Sequence, residues 1–96
     1  MSENELMDYS LLASSEAEQM VLGAILIDNH AADMLADLPA EKFFFEPNRL
    51  IFKTAMAMVA KGLPVDVITL DTELQQQGLS DVTGGLSYLI DLQQHT

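Results

Sequence analysis

The strongest constraint on the fold is an apolar stretch in the middle of the chain, residues 48–61, with the sequence NRLIFKTAMAMVAK. On an α-helix its apolar side chains cover an arc of roughly 200°, which is wider than the single stripe of a surface helix. The strip left to face water contains Lys53, Thr54 and Lys61. Gly62 follows as a residue that can end the helix in the left-handed conformation. The pattern predicts a central helix with neighbours on most of its circumference.

The length and composition indicate one folded domain. The chain has 96 residues, of which 49% are hydrophobic and 20% charged, and it contains no cysteine. A chain of this size can build its own core without disulfides. Its N-terminus is acidic, unlike a signal peptide, and no apolar run reaches the roughly 18 to 20 residues of a membrane span. We therefore expect a cytoplasmic protein with no membrane contact.

The charge is strongly one-sided. Fifteen acidic residues stand against four basic ones, for a formal net charge of −11, and all four basic residues lie between positions 42 and 61. Nucleic-acid binding depends on cations that neutralise phosphates. The composition thus predicts protein partners and no direct contact with nucleic acid. The alternative is that the acidic surface serves only solubility.

Two helices are predicted before the central one. Ser15 and Glu18 have the spacing of a capping box, in which each side chain bonds the other's backbone amide. This predicts a helix from Ser15 that ends near Asn29. Asn29 is then expected to cap a second helix, residues 30–38, which Pro39 stops.

Two more helices are predicted after it. Asp66 is a suitable N-cap for a helix over residues 67–77, which Gly78 ends. The β-branched residues 65–69 favour a strand, but Leu70 and Leu74 extend a helical register. Residues 79–85 are expected to form a polar turn before a last helix to about Gln94. The prediction is all-α: a compact bundle of about five short helices around the central one.

The expected domain organisation is an acidic, flexible N-terminal arm over residues 1–13 and a helical domain over residues 14–96. The residues expected in the structural core are Leu22, Leu26, Ile51, Phe52, Leu70, Leu74 and Leu89.

Three consecutive aromatic residues, 43–45, cannot share one face of a regular element, so at least one ring should face the surface or a partner. The candidates for a partner surface are Phe44, Phe45, Asn48 and Arg49. No catalytic, cofactor-binding or metal site is predicted. His30 and His95 lack metal-ligand spacing, and the glycine pair before the last helix lacks a P-loop.

Five segments, in this order, resemble the N-terminal domain of bacterial replicative DNA helicases of the DnaB family. They are SEAEQMVLGAILIDN, Phe43 with Phe44, NRLIFKTAMAMVAKG, PVDVITLDTELQQQG and GGLSYLIDLQQHT. The similarity runs from about Ser14 to Thr96. Asn48 stands where the family commonly has a histidine.

The resemblance implies a small helical head in the collar of a hexameric ring, in contact with the primase C-terminal domain and with other copies of itself as a weak dimer or ring collar. By this resemblance, the family's helical hairpin, linker and RecA-like ATPase domain are expected to lie outside this chain. ATP and Mg²⁺ are thus expected only in that motor, and this chain is expected to perform no catalysis. The alternative is a stand-alone acidic regulator that mimics the helicase head or DNA and blocks a replication or DNA-binding protein.

Overall fold

The structure, a computed structural model, describes residues 14–94, and over this range its regular elements are all helical. They are α1 (Ser15–Ile27), α2 (Ala31–Met34), a 3₁₀ helix (Ala40–Lys42), α3 (Glu46–Ala60), α4 (Val67–Gln76), α5 (Ser80–Thr83) and α6 (Gly85–Gln94). The all-α prediction is confirmed, and a helix occupies each of the five predicted segments. The one-turn α5 is additional, in the segment expected to be a turn. The predicted arm, residues 1–13, lies outside the described residues.

The central helix α3 begins two residues earlier than predicted, at Glu46, with Pro47 in its first turn, where a missing amide costs little. At its other end Gly62 has a φ of 74°, as the sequence predicts. The amide of Leu63 donates to the carbonyl of Met58 at 3.0 Å, a bond that belongs to a Schellman motif. A left-handed glycine thus ends the helix and turns the chain towards α4.

Helix α3 contacts α1, the 3₁₀ helix, α4 and α5, as expected for the centre of the bundle. Its inward face contributes Ile51, Phe52, Ala55 and Met58 to the core. The ring of Phe52 packs on that of Phe43, with centroids 4.6 Å apart. The buried core contains all seven residues proposed above as structural core, together with Ile25, Ala32, Phe43, Ala55, Met58, Val65 and Leu92.

The prediction that Thr54 faces water is wrong. Thr54 is buried, and its hydroxyl lies 3.5 Å from the side-chain oxygen of Gln77. Helices α4 and α5 both pack against α3, and the sequence pattern does not predict α5. The water-facing strip is therefore narrower than expected, with Lys53 and Lys61 still exposed.

The second helix is much shorter than the predicted residues 30–38. Only Ala31–Met34 is α-helical, and the side chain of Met34 is 88% exposed. The backbone bonds of this segment join residues three apart, such as Leu35 to Ala32 and Leu38 to Leu35. Because 3₁₀-type turns have three residues per turn, the inward-facing residues recur at 32, 35 and 38 instead of at the spacing of an α-helix.

Asn29 does not cap α2, contrary to the prediction. Its side-chain amide donates to the carbonyls of Ile25 and Val65, at 2.9 and 2.8 Å. Its side-chain oxygen accepts from the Val65 amide at 2.9 Å. One side chain thus satisfies both backbone groups of a buried residue 36 positions away, and it joins the end of α1 to the loop before α4.

Asp66 caps α4 as predicted, and the structure allows a quantitative test. Its carboxylate accepts from the amides of Ile68 and Thr69, at 2.9 and 2.8 Å, while the Thr69 hydroxyl accepts from the Asp66 amide. We expect Asp66→Ala to lower the free energy of unfolding by about 1 kcal/mol, because two helix amides lose their acceptor. Asp66→Asn should retain most of the stability. Urea unfolding of the three proteins measures this, and equal midpoints for wild type and Asp66→Ala would contradict it.

No helix within residues 14–94 is long and apolar enough to cross a bilayer.

Candidate protein-docking surface

The buried carboxylate of Glu18 organises one end of the bundle. The predicted capping box is wrong: Ser14, one position earlier, is the N-cap, and its hydroxyl accepts from the Ala17 amide at 3.0 Å. Glu18 lies one turn before Leu22 on the inward face of α1 and is 0% exposed. Its carboxylate therefore points into the domain instead of back to Ser15.

Three neutral donors converge on the Glu18 carboxylate. They are the Phe44 amide at 2.7 Å, the Phe45 amide at 3.4 Å and the side-chain amide of Asn48 at 2.9 Å. Phe45 is the N-cap residue of α3, so the carboxylate lies at the positive end of that helix dipole. The contact ties α1 to the start of α3 and fixes the backbone of the aromatic segment.

A hydrogen-bonded chain continues from Asn48 to α6. Asn48 is buried, and its side-chain oxygen accepts from the Tyr88 hydroxyl. The side-chain nitrogen of Gln19 lies 3.5 Å from the same hydroxyl. Within residues 14–94, no buried side-chain nitrogen or oxygen lacks a partner. These hydrogen bonds thus join α1, α3 and α6, and each polar atom at the centre of the network has a partner.

The Tyr88 hydroxyl should make stability depend on pH in alkaline solution. Burial raises the pKa of Tyr88 above its usual 10.0, and the charges of Glu18 and Asp91 add to the rise, while hydrogen bonds with Gln19 and Asn48 oppose it. Above pH 10.0 the unfolded chain loses this proton first, so the free energy of unfolding should fall until the folded-state pKa is passed. Tyr88→Phe should show a smaller fall between pH 9 and 11 in urea unfolding. Parallel pH profiles for the two proteins would contradict this origin.

A surface cleft of about 370 Å³ opens over this network. It is lined by Ser15, Gln19, Phe45, Pro47, Asn48, Asp81, Val82, Thr83, Gly84 and Tyr88. Gly84 has a φ of 91°, and a Cβ added there would lie 2.8 Å from the Cβ of Tyr88. The turn between α5 and α6 thus needs glycine to approach Tyr88 this closely, and this approach forms one wall of the cleft.

The structure brings three of the four partner-surface candidates to the cleft or its edge. Phe44 is 74% exposed and Phe45 37%, and their rings meet edge to face with centroids 5.2 Å apart. Phe45 lines the cleft and Asn48 forms part of its floor. Arg49 is half-buried and does not line the cleft. Phe43, by contrast, points into the core.

Glu18, Gln19 and Tyr88 were not predicted as residues of this surface. One signal was present for Glu18, because it precedes Leu22 by four residues and Ile25 by seven, which puts a carboxylate on the apolar face of α1. Gln19 and Tyr88 gave no comparable signal. Their pairing across 69 residues follows from the packing of α6 on α1, which a single sequence does not reveal.

The described residues were predicted to include no metal site. Within residues 14–94 no group of three or more His, Asp or Glu side chains is placed to hold a metal ion. His30 is exposed, and its backbone and ring hydrogen bonds lower the pKa of Asp28. His95 lies outside the described residues.

Comparison with known proteins agrees with this architecture. Residues 10–96 match the family model described as the DnaB-like helicase N terminal domain. The chain is 40% identical over 84 residues to the replicative DNA helicase DnaB of Buchnera aphidicola subsp. Acyrthosiphon pisum, and equally to that of Haemophilus influenzae. Each alignment covers 86% of this chain, which spans only 18% of the length of these relatives.

A solved structure shows the same fold. The crystal structure of the N-terminal domain of DnaB helicase from Mycobacterium tuberculosis superposes with a TM-score of 0.82 at 30% sequence identity. The match covers 86% of this chain and 61% of that one. The family model, the curated relatives and this structure all identify the same domain. The chain therefore belongs to the family of DnaB-like helicase N-terminal domains.

Proposed function

We propose that this chain is the non-catalytic head of a replicative DNA helicase, and that it docks the primase C-terminal domain and helps to assemble the ring collar. Family membership supports the role in replication. The observation that carries the docking role is the exposed pair Phe44 and Phe45, whose backbone a buried carboxylate fixes in place. Rigid aromatic side chains beside a cleft are typical anchors of protein interfaces.

A second apolar surface supports contact with other copies of the chain. A groove of about 260 Å³ is lined by Met58, Leu63, Pro64, Ile68, Thr69, Thr72 and Glu73. Ile68 is 61% exposed, and Leu63 is also exposed. This groove lies at the C-terminal end of α3, whereas the aromatic pair lies at its N-terminal end, about 22 Å away along a helix of 15 residues. A ring subunit that also docks primase needs two such separate surfaces.

The remaining activities belong to other parts of a helicase in this proposal. ATP and Mg²⁺ would bind in the motor domain, and the head would work in the cytoplasm without binding DNA itself. A formal charge of −11 supports the last point, because phosphate binding draws much of its free energy from cations. The acidic surface would instead speed the approach of basic partners at low ionic strength.

Calorimetry with the C-terminal domain of the cognate primase tests the docking role. We expect saturable binding that Phe44→Ala and Phe45→Ala weaken. Ile68→Ala, in the other groove, provides the matched control and should bind primase like wild type. The absence of heat at high micromolar concentration, both with this chain and with the full-length helicase, would refute docking by the head.

Sedimentation analysis tests the contact with other copies. We expect concentration-dependent association that Ile68→Asp reduces, because a charge on an apolar contact surface opposes burial. Val82→Asp places the same charge in the cleft and should leave association unchanged. A wild-type chain that stays monomeric at millimolar concentration would refute self-association by this segment.

A further inference from the structure

The cleft over Tyr88 is chemically unusual for a site that binds a small polar molecule. Its polar floor is already paired internally, since Asn48 bonds both Glu18 and Tyr88. Small-ligand pockets commonly offer a few convergent polar groups that are free to bind. Here the groups that a ligand can contact are mainly apolar: the ring of Phe45, the ring of Pro47 and the side chain of Val82, which is 40% exposed.

The charged residues along the cleft are acidic. Asp81 lines it, and Asp91 lines an adjoining cavity of about 210 Å³ that shares Gln19 and Tyr88 with it. Burial is the main cause of the raised pKa of Tyr88, and the negative charges of Glu18 and Asp91 add to it. Among residues 14–94, no lysine or arginine lines either cavity. The charged side chains that line this surface are thus acidic, although the chain contains four basic residues.

We propose that this cleft receives a protein segment in which an apolar side chain is flanked by lysine or arginine. The apolar side chain packs among Phe45, Pro47 and Val82. The flanking cation lies near Asp81, on the α5 side of the cleft. The inference rests on the proposed function, in which primase supplies the segment, and it assigns both the site and the chemistry of the contact.

The first experiment measures binding of the primase C-terminal domain to paired variants of the full chain. Val82→Lys places a cation in the apolar cleft and should weaken binding about tenfold or more, whereas Ile68→Lys makes the same kind of change in the other groove and should stay within about twofold. Asp81→Lys should weaken binding about threefold to fivefold at low salt and less at high salt. Asp37→Lys, an exposed site away from the cleft, is its control.

The second experiment is independent of primase. A capped Lys-Leu-Leu-Arg peptide is titrated into the ¹⁵N-labelled chain to millimolar concentration, with a Glu-Leu-Leu-Glu peptide in parallel. Shift changes should concentrate at the amides of Phe45, Val82, Gly84 and Tyr88, and only with the basic peptide. Circular dichroism of each variant verifies that it is folded.

The two experiments separate this inference from the proposed function. Primase binding that Val82→Lys and Asp81→Lys leave unchanged overturns the cleft assignment and leaves the docking role standing. Basic-peptide shifts at the cleft without any primase binding support the cleft chemistry and reject primase as its source. Equal shifts with both peptides, or shifts at other residues, overturn the inference.

Discussion

Phe52→Ala is expected to lower the free energy of unfolding by about 3 to 5 kcal/mol, the usual cost of removing a large aromatic side chain from a packed core. Phe52 is 2% exposed, and its ring lies against Phe43, which is fully buried between the 3₁₀ helix and α3. Truncation leaves a cavity between two elements of the fold that cannot collapse without moving α3. In a domain of this size the melting temperature should fall by more than about 12 °C.

Phe44→Ala is the matched control for Phe52→Ala. It makes the same chemical change at a ring that is mostly exposed and contacts Phe45 edge to face. We expect a loss below about 1 kcal/mol, because little apolar area returns to water. Chemical and thermal unfolding of both variants measures the difference. Similar melting temperatures for Phe52→Ala and wild type would contradict the packing of α3 described above.

Glu18→Ala is expected to cost about 3 to 5 kcal/mol, although it removes a charge from the interior. The two backbone amides of the aromatic segment and the side-chain amide of Asn48 lose their shared acceptor. Each buried donor left without a partner costs about 1 to 3 kcal/mol. The carboxylate also lies at the N-terminal end of α3, where a negative charge is favourable.

Glu18→Gln and Glu16→Ala separate the causes of this loss. The glutamine keeps one oxygen that can accept, but its NH₂ group faces donors, so an intermediate cost of about 1 to 3 kcal/mol is expected. Glu16 is exposed on the same helix, and its removal should cost less than about 1 kcal/mol. Urea unfolding at neutral pH gives all three values. A Glu18→Ala protein as stable as Glu16→Ala would show that the carboxylate does not hold the aromatic segment.

Predictions from the sequence were most accurate where the signal is local. The stop at Gly62 and the cap at Asp66 each depend on residues within one helical turn, and both are as expected. The central helix was placed to within two residues because its apolar arc is wide. The same reasoning failed for residues 30–38, where tight turns of three residues replace the α-helical spacing.

The parts that were missed depend on contacts distant in sequence. Glu18 was assigned to a local capping box, but its partners are 26 to 30 residues away. Thr54 was placed in water, but it is buried and its hydroxyl lies 3.5 Å from the side-chain oxygen of Gln77, 23 residues away. The cleft also depends on contacts between residues that are distant in sequence. Its residues come from three separate segments, so only their arrangement in space shows that Phe45 and Tyr88 share a surface.

The bonds between Asn29 and Val65 also limit how homologous chains can vary in length. Loops usually tolerate inserted residues, because they carry few specific contacts. Here the side chain of Asn29 forms hydrogen bonds with both the carbonyl and the amide of Val65 in another loop, as neighbouring strands do with each other. An insertion beside either residue would shift its partner out of register, so both loops should keep a constant length across the family while the exposed turn near Asp37 varies.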